Sequence, residues 1–391
     1  MQSVLSHHDL MDENRVLTKS TKMFICAYIL YYSFSLFFWN STFNFFLEIP
    51  SETWQIVFSI PTFVLLVCKV LFFQKYTGIQ LLMVSILTIV FFVGYYFSGA
   101  YRILIGLLFV IAAKDIDVLN VAKIAMKTIA FMIILIAIFS LVGITNNTIS
   151  VRDGAVRFTL GFRHPNNLGD QVFQFFACWI FTRWHKIRWF DYLWVFSLAL
   201  LFYFFCNSRT SFYLTIFLLV CAFAFKSVAK NNTLILLVKV IIVLCPIISI
   251  FLTVFYDRSN SILLGFDSLF SGRLQLAHEH YLFAGFSLYG QKDTIKTLGF
   301  ALDNAYVYNA IVFGMVSLFF ILTAIYLCII KAEKENYTPA IIIITAYCLY
   351  SLFELVLFSP TSNILLLLLL SYVLYSSKRS SLNSSSEYKS Q

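Results

Sequence analysis

The chain has 391 residues, 60% of them hydrophobic and 12% charged, with a formal net charge of +9 and a mean hydropathy of +0.84. An ordinary globular domain is about 45–50% apolar and 25% charged, so a soluble domain organisation is excluded. The cations are dispersed between apolar runs, which argues against a nucleic-acid partner and marks most of them as topology determinants.

Residues 1–21 are polar and include Asp9, Asp12 and Glu13. They read as a cytoplasmic N-terminal tail, not a secretory signal. A single transmembrane domain follows over 22–376. Its apolar segments fall at 23–39, 53–73, 79–97, 101–113, 124–143, 171–182, 189–206, 210–226, 233–255, 304–330, 338–358 and 361–376. Most approach the roughly 20 residues that cross a bilayer core. The expected fold class is an all-α polytopic integral membrane protein with about 12 transmembrane helices. Lysines and arginines at alternate segment ends, from Arg15 and Lys19 through Lys75, Lys114, Lys186, Lys226, Lys230, Lys331 and Lys334 to Lys378 and Arg379, place both termini in the cytoplasm. Trp184 and Trp189 are expected interface anchors, and Lys69 and Lys239 are expected to snorkel. The Ser-rich stretch 377–391 reads as a disordered cytoplasmic tail.

Two long extracytoplasmic loops result, 144–170 and 256–303. The second is half apolar and should lie on the membrane surface as short amphipathic helices. The eight cysteines sit in or beside apolar runs, with no C-x-x-C pair, and read as core-packing residues.

The outer cations are mostly arginine, namely Arg102, Arg152, Arg157, Arg163, Arg209, Arg258 and Arg273, against Lys292 and Lys296. Topology rules do not prefer arginine, whereas phosphate recognition does, because the planar guanidinium makes paired charge-assisted bonds. Pairing with Asp153, Asp170, Asp257 or Asp267 is the competing explanation. In "GFRHPNNLGDQ", 161–171, Pro165 and the asparagines suit a capped turn above a helix beginning near Gln171. A cap scarcely needs His164. "CNSRTSF" is a tight turn carrying Arg209. In "SGRLQLAHEHYLF" a helix would put Arg273 and His280 on one face. Asp303 and Asn304 open the next apolar helix. Glu354 needs burial or an arginine partner. No spacing of metal ligands is recognisable.

Taken in order, Arg157, Gly161, Phe162, His164, Pro165 and Asn166, then Ser208, Arg209 and Thr210, then Ser271, Gly272 and Arg273, then Asp303, Asn304 and Gly314 form a pattern. Over roughly 157–315 it resembles the Wzy-type bacterial polysaccharide polymerases, relatives of the O-antigen ligases. The resemblance implies a GT-C-like membrane glycosyltransferase architecture in the cytoplasmic membrane. It implies metal-independent, cofactor-free polymerisation of undecaprenyl-diphosphate-linked oligosaccharide repeat units into capsular polysaccharide, exopolysaccharide or O-antigen on the extracytoplasmic side. Its partners would be those substrates, membrane lipids, and flippase and chain-length regulator proteins. Arg157, Arg163, Arg209, Arg273, Asn166 and Asn304 would bind diphosphate or glycan. The ligases carry a histidine where this chain reads Asp303-Asn304, which leaves the general base open among Asp303, His164 and His280, with Asp303 first by motif position.

An O-antigen-ligase-like transferase would use the same loops. A lipid-linked oligosaccharide flippase would place charges or broken helices near the midplane of related halves, and no halves match. A signalling or scaffold protein would need a soluble effector domain, and none is evident.

Overall fold

A computed structural model of the chain describes residues 7–43, 51–152, 154–227 and 232–375. The Ser-rich tail at 377–391, Lys230, Lys378, Arg379 and Asp153 lie outside the described residues. Each of the twelve apolar segments overlaps helix, in several cases only in part. Among the described residues seven helices are long and apolar enough to cross a membrane: 19–40, 78–98, 118–141, 189–206, 209–227, 232–254 and 315–334. Four shorter apolar helices accompany them.

The helices begin where the chain supplies donors' partners. α1 (His7–Ser35) starts inside the expected N-terminal tail and runs on into a π-turn, Leu36–Asn40. α2 (Ser51–Phe72), α3 (Gly78–Ser98), α4 (Arg102–Ala112) and α5 (Val118–Leu141) follow. Thr77 and Gln80 form a reciprocal capping box at the start of α3, and Asp117 caps α5 by accepting from Asn120 N at 3.0 Å.

The expected loop 144–170 is shorter and more ordered than anticipated. It contains an antiparallel hairpin, β1 (Ile149–Arg152) and β2 (Ala155–Phe158), with Ser150 opposite Arg157. α6 (Pro165–Arg183) starts six residues before the predicted Gln171. Apolar periodicity hid this start, because Asn166, Asp170, Gln171 and Gln174 all lie in its first half.

α7 (Trp189–Cys206) and α8 (Arg209–Ser227) are joined by the expected tight turn, in which Asn207 takes a left-handed conformation at φ 43°. α9 (Asn232–Val254) leads to the second long connection. There α10 (Ser261–Leu269), α11 (Arg273–Ala284) and α12 (Thr294–Leu298) are short helices, and α10 exposes Ile262, Leu264, Phe266 and Leu269.

The predicted helix 304–330 is broken. α13 (Ala305–Tyr308) passes into a π-turn, Asn309–Phe313, and α14 (Met315–Lys334) starts after Gly314 at φ 91°. The irregular segment around 287–291 lies along the break. Gln291 N donates to Val312 O at 3.1 Å and Met315 N to Ser287 O at 2.8 Å, which satisfies backbone groups that a broken helix strands. A Cβ on Gly314 would sit 2.6 Å from Gly290 N and Leu288 O.

α15 (Thr338–Tyr350) and α16 (Ile364–Leu374) are buried on nearly every side and form the centre of the core. The predicted span 338–358 therefore ends early, and 351–363 is non-helical. By contrast α3, α7 and α9 expose broad apolar faces, including Phe92, Phe204 and Phe251, as helices facing lipid do.

Lys69 does not snorkel. It is fully buried, and its Nζ donates to Lys114 O at 2.9 Å at the end of α4. Lys239 pairs with Glu333 at 2.6 Å. Trp184 is buried beneath Lys226, and Trp189 is exposed.

Candidate active site

At the end of the bundle where α6 begins, β2 packs against the last turn of α7. Arg157 is buried there. Its Nε donates to Cys206 O at 3.0 Å, the end of α7, and its Nη2 to Asn166 Oδ1 at 2.7 Å. The Asn166 amide passes the contact on, with Nδ2 donating to Glu354 Oε1 at 3.0 Å. The same oxygen accepts from Arg273 Nη2 at 2.6 Å. Arg273 Nε lies 3.0 Å from Asp303 Oδ2, and its Nη1 lies 3.4 Å from Thr210 Oγ1. One continuous network, Arg157–Asn166–Glu354–Arg273–Asp303, thus gathers residues from β2, α6, the 351–363 connection, α11 and the turn before α13.

Close packing makes this convergence possible. Gly169 brings α6 against the start of α8, where a Cβ would stand 2.5 Å from Ser208 Oγ. Gly272, in a left-handed conformation at φ 79°, starts α11 and aims Arg273 inward.

Positive charge gathers around Arg157. Burial first, then repulsion from Arg152, Arg273 and Arg209, brings the Arg157 guanidinium down to about 10, with Cys206 opposing. Arg152, Arg209 and Arg273 all lie in electrostatic range of Arg157, and Arg273 is paired with both Asp303 and Glu354. Arg152 Nη2 donates to Asn207 O at 2.6 Å, so Arg152 and Arg157 also neutralise the C-terminal end of α7.

The two carboxylates differ. The Asp303 side chain is 30% exposed and that of Glu354 is 18% exposed. In its non-helical connection Glu354 is raised to about 7, because burial outweighs the attraction of Arg273 and its hydrogen bonds from Arg273 and Asn166.

His164 is itself the helix cap, contrary to the expectation that a cap scarcely needs it. Its Nδ1 accepts from Asn166 N at 3.1 Å. Desolvation, then Arg157, holds it below the ordinary imidazole value, with Asp303 opposing. An imidazole that accepts at Nδ1 carries its proton on Nε2. His164 therefore offers the site a donor, not a base.

The other expected residues divide clearly. Arg209, in the first turn of α8, lies in electrostatic range of Arg157. Arg163 is turned away: its Nε donates to Ser41 O at 3.0 Å and its Nη2 to Phe38 O at 3.1 Å. Asn304 is the cap of α13, accepting from Tyr306 N and Val307 N, and its amide also donates to Ser249 Oγ. His280 is fully buried, with Nδ1 2.8 Å from Thr294 Oγ1 and its ring against Phe300. It ties α11 to α12, and no member of the network is among those partners. Arg258 pairs with Glu279 at 2.7 Å.

No family model, curated protein or solved structure matches this chain. The site is therefore judged on its own chemistry.

That chemistry is a cluster of guanidiniums beside a carboxylate pair. Among the described residues no three histidine, cysteine, aspartate or glutamate side chains converge as metal ligands. Sequence reasoning noted that Glu354 needs an arginine partner, and Arg273 is that partner. It did not place Glu354 in the site, because 188 residues separate it from Asn166. It also assigned Arg273 to a phosphate, whereas all three of its nitrogens already face Asp303, Glu354 and Thr210.

Proposed function

We propose that this protein is a membrane glycan transferase of the polysaccharide-polymerase type, moving a lipid-linked glycan onto a sugar hydroxyl of a second lipid-linked repeat unit. The reading rests on one observation: mutually repelling guanidiniums around Arg157 stand beside a carboxylate pair that shares Arg273. Glycosyl transfer from a diphosphate carrier needs both features. As the anomeric C–O bond breaks, negative charge grows on the leaving diphosphate, and fixed cations favour that state. Arg157, Arg152 and Arg209 supply it, with the Nε2 proton of His164 as a further donor. The attacking hydroxyl must lose its proton to a group in hydrogen-bond reach. Asp303, the more open carboxylate, takes that role, held in place by Arg273. Glu354 fixes the other side of the same guanidinium. Arg273 thus positions the base and does not itself grip phosphate.

In this reading the lysine-rich end of the bundle faces the cytoplasm and the arginine network faces outward. Cysteines introduced at the exposed positions Asn147 and Ser259 are then labelled in intact cells by a membrane-impermeant reagent. Labelling only after permeabilisation overturns that sidedness. The activity is tested with the purified chain in lipid nanodiscs, given lipid-linked repeat units alone. A ladder of lengthened, carrier-linked glycans is expected. Glycan appearing only on a different added acceptor, or no transfer by well-folded protein, overturns the polymerase reading.

A further inference from the structure

Beneath the network α6 carries a second polar feature. Asn166, Asp170, Gln174, Cys178 and Thr182 recur at every fourth residue, which on a helix traces one slowly winding stripe. Asn166 belongs to the network, and at 1.5 Å per residue Cys178 lies about 18 Å further along the axis. The stripe is partly open at its top and closed below, since Asp170 is half-buried and Gln174 fully buried.

Asp170 Oδ2 accepts from Gln171 Nε2 at 3.1 Å, and the hydroxyls of Ser362 and Tyr350 are directed at the same carboxyl. Its shielded Oδ1 has no well-formed hydrogen bond. One turn on, neither Oε1 nor Nε2 of Gln174 is paired. The fully buried hydroxyls of Tyr28, from α1, and Tyr347, from α15, are unpaired as well. Tyr347 lies in electrostatic range of Asp170, Cys178 and Tyr28.

The mixture of groups selects the occupant. The free Asp170 oxygen and the Gln174 carbonyl accept, the Gln174 amide donates, and each phenol does both. A bound cation would satisfy the acceptors and strand the amide and phenol protons. Water, which donates and accepts, serves all of them. The Tyr350 hydroxyl stands between this stripe and the network, within range of both Asp170 and Glu354 and 2.7 Å from Ser211 Oγ.

We propose that Asp170, Gln174, Tyr28 and Tyr347 form an internal water-binding proton site, linked through the Tyr350 hydroxyl to Glu354. The groups facing Asp170 are Tyr32 of α1, Tyr347 and Tyr350 of α15, and Glu354 and Ser362 of the connection, with Tyr28 and Cys178 behind Tyr347. None is cationic, so a charge arriving there is a proton shared with the network. The site exchanges protons whatever the network binds, and so does not depend on the transfer reading. Within that reading, the acceptor O–H bond breaks as the glycosidic C–O bond forms, and diphosphate departs with its electron pair. The proton taken by the network can then be handed along this chain, each group giving up one proton as it takes another, and leaves for bulk water as product departs.

The test uses the full chain in nanodiscs without substrate, followed by pH-difference infrared spectroscopy. A titrating carboxyl band is expected that is lost in Asp170→Asn. In Glu354→Gln and in Tyr350→Phe it should remain, with its midpoint moved by about one pH unit. Bound-water O–H bands should weaken in Gln174→Leu. An Asp170→Asn spectrum identical to wild type overturns the proposal, as does a band indifferent to Tyr350→Phe and Glu354→Gln. Thermal stabilisation by Na⁺ but not by K⁺, lost in Asp170→Asn, would show a cation site instead. If Asp170→Asn does not fold, an unchanged titration in Gln174→Leu overturns it. A normal band in protein that makes no polymer sinks the transfer reading and leaves this one standing.

Discussion

The two ends of the bundle use cations in opposite ways. At one end lysines close backbone ends: Lys69 donates to Lys114 O, Lys226 to Ile187 O at 3.1 Å and Lys331 to Tyr372 O at 2.8 Å. Aromatic faces lie under several of them, with Lys331 3.5 Å from the Tyr372 ring centroid. Each such lysine reaches one carbonyl on another segment. At the other end arginines join separate side chains, and Arg273 alone links α11 to Asp303, Glu354 and Thr210. A guanidinium has five donors in a rigid fork, whereas an ammonium is a compact point charge on a flexible stem. The lesson is that both cations can close a backbone end, as Lys226 and Arg163 do, but the group that holds two carboxylates at once is the forked guanidinium of Arg273.

The hardest way to break this comparison is to swap the chemistries. Arg273→Lys should fold and accumulate normally, because one carboxylate can still be paired. It should lose about 2–4 kcal/mol of transition-state stabilisation, roughly 10²–10³-fold in rate. Wild-type glycan ladders from this variant would erase the distinction.

The next test is pH. Glu354 sits near 7, above its usual range, so it becomes ionised only as pH rises through that value. If the ionised pair orients Arg273, turnover should climb up to about tenfold per pH unit below 7 and level off above it. Glu354→Gln should be slower at every pH and lack that limb. A limb that survives the substitution would assign it to another group.

His164 sharpens the boundary between cap and site. His164→Ala should cost about 1 kcal/mol of stability through the lost cap. His164→Asn should restore the cap, measured by thermal unfolding, but leave turnover several-fold low for want of the Nε2 donor. Equal activity of His164→Asn and wild type would make this residue purely structural.

The smallest effect belongs to the lysine end. Lys331→Met should lower stability by about 0.3–1 kcal/mol and leave turnover per folded molecule unchanged. A large activity loss at normal abundance would mean that the lysine end shares in the chemistry.

Much of the fold is readable from the chain because apolar length reports helices directly: every segment overlaps helix, and seven helices are long and apolar enough to cross a membrane among the described residues. α6 was misplaced for a physical reason. Its polar stripe breaks the apolar run on which such readings depend, although the fourfold spacing of Asn166, Asp170, Gln174, Cys178 and Thr182 was present to be counted. The arginine end was legible as a bias in residue type, and Arg157, Arg209, Arg273, Asn166 and Asp303 were all singled out. Which side chain each one meets was not legible. Arg163 and Arg157 lie six residues apart and face different neighbours, a difference set by the hairpin and by the early start of α6. His280 shared a helix with Arg273, but period alone does not reveal that it faces Thr294.

The break at Gly314 gives these two ends a mechanical relationship. An unbroken helix is a stiff rod, and a rod from Asp303 to Lys331 would carry every displacement at one end to the other. Here the rod is cut into α13 with its π-turn and α14, and Gly290 and Gly94 crowd the joint so closely that a Cβ on Gly290 would stand 2.9 Å from Val312 O and 3.1 Å from Gly94 O. The joint is two helical pieces meeting through hydrogen bonds to the 287–291 segment with almost no free volume. A methyl group added to any of the meeting backbones would force it apart, so Gly94, Gly290 and Gly314 together are a steric lock on the segment that carries Asp303.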